Sequence, residues 1–292
     1  MKTSYFYSPV LLVIAILFFF ISACKRDNSL QIPAGKQSVT IRLNDDPIPN
    51  LTNVWVDIRY IEVKIDTGTI HHNDDVYGHD DDGDDDHHSH DSYGTWDTLN
   101  VTPGIYDILR FRNGIDTLLA TGFTATGRIH KIRVTLGNNS SVSKDSGLTK
   151  LPLSICENKP YVYVKVKSEH IDSISNGIIQ IKVDFDIAKS IKLKNGSYCL
   201  KAEIKSYSDR SSGKIEGRVL PKDAQAMPII YNSTDSSIAK PGYDGEFKIC
   251  GLKPGTYSLR FNPMNGYKDS IITGIIVLPG KEVDLHTILL KK

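Results

Sequence analysis

Six histidines and nine aspartates fall between His71 and Asp91, and no lysine or arginine interrupts them. Imidazole nitrogens suit Zn²⁺, Ni²⁺ or Cu²⁺, and carboxylate oxygens suit Ca²⁺ or Mg²⁺. The candidate ligands are His71, His72, His79, Asp80, Asp82, Asp84, Asp86, His87, His88 and His90. His88 and His90 are near enough in sequence to share one ion, with His79 or a carboxylate completing the set. The aspartate run lacks the glycine-centred spacing and terminal bidentate glutamate of an EF-hand, so an ordered calcium loop is not expected. His-rich tracts are a compositional signal for metals. Metal ligands must be deprotonated and nothing here fixes them in place, so weak, multi-site, pH-dependent binding is the expectation. The competing reading is a solvated insertion, since the segment is too polar to bury a core.

Other reactive patterns are missing. There is no G-x-S-x-G, H-E-x-x-H or phosphate-cradling glycine loop. Ser141-Val142-Ser143-Lys144 and Ser237-Ile238-Ala239-Lys240 fit S-x-x-K without its companion motifs. His130, His170 and His286 stand alone, and Asp184 and Asp186 share a strand face, where solvated or ion-paired carboxylates are expected. The reading is therefore not an enzyme, with no required cofactor and no nucleic-acid partner.

The N-terminus carries a different kind of chemistry. Val10 to Ala23 is an apolar run of 14 residues, short of the ~20 that a membrane-spanning helix needs. With Lys2 ahead of it and small residues at its end, it reads as a secretory signal. Ile21-Ser22-Ala23-Cys24 resembles the lipobox of bacterial lipoproteins, in which the cysteine is diacylated and becomes the new N-terminus. That resemblance implies a signal peptide over 1–23, lipidation of Cys24, and a tether over 24–37. It also implies an extracytoplasmic protein anchored to a bacterial membrane. The outer membrane is expected, with the periplasmic or surface face left open. Two or three acyl chains hold firmly, at ~0.8 kcal/mol per buried methylene.

Three further cysteines remain, Cys156, Cys199 and Cys250. Outside the cytoplasm an odd count permits one disulfide and one leftover thiol. Cys156 and Cys199 fall in the same expected domain and are the expected pair.

The elements that position these groups read as strands. Val39, Ile41 and Leu43 alternate with polar residues, as do the apolar residues from Val54 to Ile58. The phase slips at Tyr60-Ile61 before Val63 and Ile65 resume, which suggests a bulge. Further strands are expected over 95–101, 106–111, 128–136, 161–166, 178–185 and 198–206, with a short helical turn over 115–121. Pro103-Gly104, Asn113-Gly114, Asn176-Gly177 and Asn195-Gly196 supply turns. The Ser-, Asp- and Gly-rich stretch 208–213 marks a boundary, and a new set of strands follows. The expected fold is all-β, with two β-sandwich-type domains in tandem over 38–208 and 209–292.

The net charge of +1 hides an asymmetry. Setting aside the nine aspartates of 71–91 leaves 35 basic residues against 25 acidic ones. A basic body can meet anionic glycans or lipid headgroups, or its lysines can simply solvate strand faces.

Two resemblances cover the body. Val39-Thr40-Ile41-Arg42-Leu43-Asn44-Asp45-Asp46-Pro47, Trp96-Asp97-Thr98-Leu99, Pro103-Gly104-Ile105-Tyr106-Asp107, Ile132-Arg133-Val134-Thr135-Leu136 and Val183-Asp184-Phe185-Asp186 occur in order. They resemble the bacterial domain-of-unknown-function family numbered 4382, which implies an exported β-rich domain and no defined activity. Gly217-Arg218-Val219, Asp244-Gly245-Glu246-Phe247 and Gly251-Leu252-Lys253-Pro254-Gly255-Thr256-Tyr257 resemble a carboxypeptidase regulatory-like domain. That is a small prealbumin-type sandwich, also described as carbohydrate-binding-like, and its glycines and proline specify turns and not chemistry. The expected function is a non-catalytic binding or structural role at the cell envelope, with divalent-metal binding by 71–91. The alternative is a carbohydrate-binding or adhesive module, with glycans or other envelope proteins as partners. It requires exposed aromatics on one sandwich face, for which Trp55, Tyr161 and Tyr163 are the candidates.

Overall fold

A computed structural model describes residues 31–46, 50–68, 94–175 and 177–292. Alternating apolar and polar residues, rich in Val, Ile and Thr, put one side of each segment into a core and fix strand over helix. The first set of strands is β1 (Lys36–Asp46), β2 (Asn53–Asp66), β3 (Thr95–Val101), β4 (Gly104–Asp107), β5 (Thr117–Ala125), β6 (Arg128–Leu136) and β7 (Ser141–Ser143). It continues with β8 (Leu151–Ile155), β9 (Tyr161–Lys165), β10 (Ile171–Ser175) and β11 (Ile178–Asp186). A four-residue helix, α1 (Ile187–Ser190), leads to β12 (Ile191–Lys194), β13 (Ser197–Leu200) and β14 (Ile204–Tyr207). The second set is β15 (Gly213–Leu220), β16 (Met227–Tyr231), β17 (Ser236–Ile238), β18 (Glu246–Leu252), β19 (Gly255–Asn262), β20 (Ser270–Val277) and β21 (Glu282–Leu289). The fold is all-β.

The first set pairs in the order β10-β11-β1-β5-β3-β2-β7-β8-β13-β12, with β6 on β2 and β9 on β6. β1 and β11 run parallel, in register from Ser38↔Ile178 to Asp46↔Asp186. The second set makes two sheets, β18-β15-β21 and β17-β16-β19-β20. Each set has its own core. Val39, Ile41, Val54, Val56, Ile61, Val63, Ile132 and Phe185 belong to the first. Ile215, Phe247, Ile249, Tyr257, Leu259 and Phe261 belong to the second. Each such side chain taken out of water contributes about 1.5–3 kcal/mol.

β2 shows why the first core can close around a long strand. Its register against β6 shifts between Ile58 and Tyr60, leaving Arg59 as the extra residue. Val54, Val56 and Ile58 before the bulge and Ile61, Val63 and Ile65 after it are therefore all buried. The bulge expected at Tyr60-Ile61 lies one residue earlier.

Two local expectations are corrected. Residues from Thr117 form strand β5 and not a helical turn, because β1 offers them an antiparallel partner, Arg42 opposite Leu118. Sheet pairing outweighs a weak local helix preference. The strand expected over 106–111 stops at Asp107, and a 3-10 turn over Ile108–Arg110 tucks Ile108 and Leu109 into the core.

The serine-rich stretch before β15 is a hydrogen-bonded turn and not a loose linker. Ser208 and Ser212 are buried. Ser208 Oγ donates to the Glu169 carbonyl at 2.9 Å, and Ser212 N donates to the Ser208 carbonyl at 3.0 Å. Beside it, Lys182 Nζ lies 2.7 Å from Asp209 and 3.2 Å from Asp116, while Lys214 Nζ lies 3.0 Å from Asp209. Arg42 closes the chain of charges on Asp116 at 2.5 Å. Burial raises the Asp116 and Asp209 carboxyls, but the hydrogen bonds from their cationic partners outweigh it and hold both below the usual range. Ion pairs thus tie β1, β11 and β15 together across the two cores.

Candidate ligand-binding face

Four neighbouring strands, β3, β2, β6 and β9, present one outward face whose cross-strand register can be read row by row. In the first row Trp96 stands opposite Lys64, Lys64 opposite Lys131, and Lys131 opposite Lys165. In the second, Thr98, Glu62, Arg133 and Tyr163 follow one another in the same way. In the third, Tyr60 faces Thr135, which faces Tyr161. The alternation that sends Ile61, Val63, Ile132, Val134 and Val164 inward puts these residues on the opposite side of the sheet, where Tyr60, Tyr161 and Tyr163 are exposed and Lys64 is covered.

Arg133 is the hub of the face. Its Nε donates to Glu62 Oε2 at 2.6 Å and its Nη2 to Oε1 at 2.5 Å, a bidentate pair that fixes the guanidinium plane. Hydrogen bonding to Glu62, reinforced by Tyr163, holds its pKa above the ordinary value. The guanidinium lies 4.6 Å from the Trp96 ring centroid and 5.8 Å from that of Tyr161. Lys131 Nζ lies 5.6 Å from the Tyr163 centroid. Trp96 and Tyr163 approach to 6.2 Å with their planes tilted by 48°. Tyr161 and Tyr163 nevertheless keep 52% and 54% of their surface exposed.

The face ends where β2 and β3 meet the intervening chain. Ile65 pairs with Thr95, and Gly94 begins the return at φ +103. A Cβ at Gly94 would stand 2.6 Å from the Ile65 carbonyl oxygen and 3.2 Å from His130, so only glycine fits. Burial holds the His130 imidazole below its usual pKa, and the charges of Lys64 and Lys131 push it the same way.

A second concavity, a cleft of about 480 Å³, lies between the two cores and holds His170, Ser206, Lys205, Asp235 and Cys250. His170 Nδ1 is 2.7 Å from Ser206 Oγ, which resembles the start of a nucleophilic relay. The serine hydroxyl, however, donates to the Lys165 carbonyl at 2.7 Å, so its oxygen accepts from Nδ1–H. The imidazole is a donor there and not a base, and the pair ties β9, β14 and the turn before β10 together. Asp186 is similarly structural. It caps α1 through Lys189 N at 3.0 Å and pairs with Lys189 Nζ at 2.7 Å. Asp184 stands opposite Lys205 in the β11–β14 ladder.

The lipidation candidate Cys24 lies outside the described residues. So do the metal-ligand candidates His71, His72, His79, Asp80, Asp82, Asp84, Asp86, His87, His88 and His90. Among the described residues no group of three or more His, Cys, Asp or Glu converges on a metal position. No helix among them is long and apolar enough to cross a membrane. Cys156 and Cys199 form a disulfide joining the turn after β8 to β13, and Cys250 is a free thiol. Of the three aromatic candidates, Tyr161 and Tyr163 lie on the face. Trp55 belongs to the first half of β2, opposite Asp107 and Ser141, with Lys150 over its ring at 4.7 Å. Sequence reasoning does not single out Trp96, Arg133 or the lysine row. Alternation marks each as outward, but their meeting depends on the register between strands far apart in the chain.

Solved structures that align with the chain do so weakly. A cohesin–X-dockerin complex from Acetivibrio cellulolyticus is 20% identical over 27% of this chain and 56% of its own, with a TM-score of 0.23. The TIE protein of Bacillus anthracis is 11% identical over 95% of this chain and 44% of its own, at 0.25. A shaft pilin SpaA from Lactobacillus rhamnosus GG is 10% identical over 87% of this chain and 98% of its own, at 0.23. The chain thus spans about half the length of the first two, and TM-scores this low carry no argument about function. No curated protein matches the chain. The family model DUF4382, a domain of unknown function, matches residues 36–202, which include every strand of the aromatic face and more than half of the sequence. The chain belongs to the DUF4382 family.

Proposed function

We propose that this is a non-catalytic binding module of the bacterial cell envelope, anchored through Cys24, and that it takes a saccharide on the face built by β3, β2, β6 and β9. One observation carries the reading: Tyr161 and Tyr163, at alternate positions of β9, stay more than half exposed beside Trp96 and an oriented Arg133. Aromatic rings with an apolar body and a polar tip suit partners that are apolar on one side and wet on the other, which describes a sugar ring. The donor role of His170 toward Ser206 supports a reading without catalysis. The lipobox resemblance supports the anchor. The resemblance of 209–292 to a carboxypeptidase regulatory-like sandwich supports a supporting role for the second core.

Binding of the full chain, purified in detergent, to an array of neutral and acidic glycans tests the proposal. Saccharide binding that Tyr161→Ala together with Tyr163→Ala removes, with β-sheet circular dichroism unchanged, is the expected result. Absence of binding to every glycan, or binding that survives the double substitution, would sink it.

The composition of 71–91 supports a second capacity, weak capture of Zn²⁺, Ni²⁺, Cu²⁺ or Ca²⁺ by its histidines and aspartates.

A further inference from the structure

Beside the second core lies a cavity of about 350 Å³ that shares no residue with the aromatic face. Its walls come from the end of β15, the turn after it, the start of β16 and the loop 240–245. Val219, Met227, Pro241 and Met264 belong to a mostly apolar lining that contains no aromatic ring. Main-chain hydrogen bonds hold these walls in place. Val219 N donates to the Gly245 carbonyl at 2.9 Å, Gly245 N to that of Gly242 at 3.0 Å, and Met264 N to that of Ala224 at 2.6 Å. Gly245 adopts φ +88, and a Cβ there would stand 2.5 Å from the Val219 carbonyl oxygen, so glycine lets the loop close onto β15. The cavity is therefore preformed, and its size falls within the ~300–1,000 Å³ of small-molecule sites.

Its charge is one-sided. Lys222 and Lys240 line it, and no Asp or Glu does. Lys222 is engaged elsewhere, with Nζ 4.1 Å from the ring centroid of Tyr243, which is itself 94% exposed. Lys240 is half-buried, and among the described residues no carboxylate pairs with it. Asn113 Nδ2 donates to the Lys240 carbonyl at 2.9 Å, which fixes its backbone against the first set of strands. Burial lowers the Lys240 pKa, and the charge of Arg112 lowers it further, with no acidic group acting the other way. An ammonium partly withdrawn from water is costly until a counter-ion joins it.

We infer that this cavity takes a monocarboxylate with an aliphatic body, its acid group on Lys240 and its chain against Met227 and Met264. An anion complements the one-sided charge. Methionines are unbranched and adaptable, and they mould to a flexible chain. At about 30 Å³ for each heavy atom, the share of one water molecule in the liquid, the cavity holds roughly a dozen. A medium-chain fatty acid has that size.

The chain has three methionines, Met1, Met227 and Met264. Two of the three report on the cavity when their methyl groups carry carbon-13. Octanoate and octanamide match in chain and size and differ in charge at neutral pH. Added to the full chain in detergent, octanoate is expected to shift both cavity methyl signals saturably, and to bind at least about tenfold more tightly than octanamide. Acetate, which keeps the acid without the chain, should shift neither signal. Lys240→Gln should cost about tenfold in octanoate affinity, leave octanamide unaffected and preserve β-sheet circular dichroism.

Equal affinity for acid and amide would overturn the inference, since charge would then play no part. Shifts that grow without saturating would overturn it too, because they report partitioning into detergent and not a site. An octanoate advantage that survives Lys240→Gln would overturn the assignment of the acid group to Lys240. Tighter binding of acetylated dileucine than of octanoate would make a peptide end the ligand and overturn the aliphatic assignment.

Discussion

Trp96 and Tyr163 sit on strands separated by two others, yet their ring centroids are only 6.2 Å apart. Three strand spacings amount to about 14 Å, so the two side chains and the twist of the sheet together close the gap above β2 and β6. Arg133 stands under the pair, 4.6 Å from the indole, held flat by Glu62. The rings are thus organised around a cation and not around each other.

It follows that Arg133→Met should lower stability by about 1–2 kcal/mol, the sum of one oriented cation–π contact and one bidentate pair at a partly exposed site. Denaturant unfolding measures the loss. Trp96 should become more solvent-exposed, read as a red shift in a Trp55→Phe background. An Arg133→Met variant with unchanged emission and unchanged midpoint would mean that the guanidinium does not organise the rings.

His130 offers a direct probe of the lysine row. Burial is the larger cause of its lowered pKa, with Lys64 and Lys131 adding to it. Lys131→Gln should move the imidazole titration upward, toward 6.5. Proton NMR across pH 5–8, the range in which histidine titrates, reads the shift. The linkage sign is that of a depressed histidine. The unfolded chain takes up a proton first as pH falls below 6.5, so stability is present above that value and lost beneath it.

Carboxylates at the junction of the two cores give a second, lower window. Asp116 and Asp209 are held below 3.8 because cationic hydrogen-bond partners outweigh burial. Their contribution is complete above 3.8 and disappears as pH falls through the lower folded values. Asp209→Asn should therefore destabilise the protein at pH 7 and flatten the dependence of the unfolding midpoint on pH in the acid range. A variant as acid-sensitive as the parent would place the acid lability elsewhere.

The strands and the inward residues were legible in the sequence, because period-two alternation is a local signal. The limits of Arg128–Leu136 and Thr95–Val101 follow from it directly. Strands as short as Ser141–Ser143, Ser236–Ile238 and Ile191–Lys194 hold too few residues to show a period. Thr117–Ala125 is a strand because β1 is beside it. The face was legible only in part for the same reason. Tyr161 and Tyr163 are marked by their spacing, but Arg133 and Trp96 join them through pairings between residues tens of positions apart, and no window of sequence contains that register.

The cysteines make a prediction from burial. Burial pushes the Cys250 thiol up to about 11, and the thiolate is the reactive form. Thiol titration of the native chain with its disulfide intact should give no fast-reacting group at neutral pH, with Cys250 appearing only on unfolding. Reduction of Cys156–Cys199, 43 residues apart in sequence, should cost about 3–4 kcal/mol by releasing the unfolded chain. Fast labelling of Cys250 in the folded state would show that β18, which carries it, opens to solvent in the native protein.

The hairpin formed by β2 and β3 should stand without most of its connection. Its register runs from Ile61↔Leu99 to Ile65↔Thr95, and Ile61, Val63 and Ile65 are fully buried against a core that β6 also lines. Those contacts hold the hairpin through long-range pairing, and closing a shorter loop costs less entropy than closing a longer one. Replacing residues 71–91 by a short glycine–serine turn should therefore preserve β-sheet circular dichroism and leave the melting temperature equal or higher. If 71–91 capture divalent ions, calorimetric titration of the parent with Zn²⁺, Ni²⁺, Cu²⁺ and Ca²⁺ should give binding that vanishes in the replaced form. Saccharide binding should persist there, because every residue of the aromatic face is retained. Loss of sheet signal would make the segment part of the fold. Loss of saccharide binding with the fold intact would make it part of the ligand site.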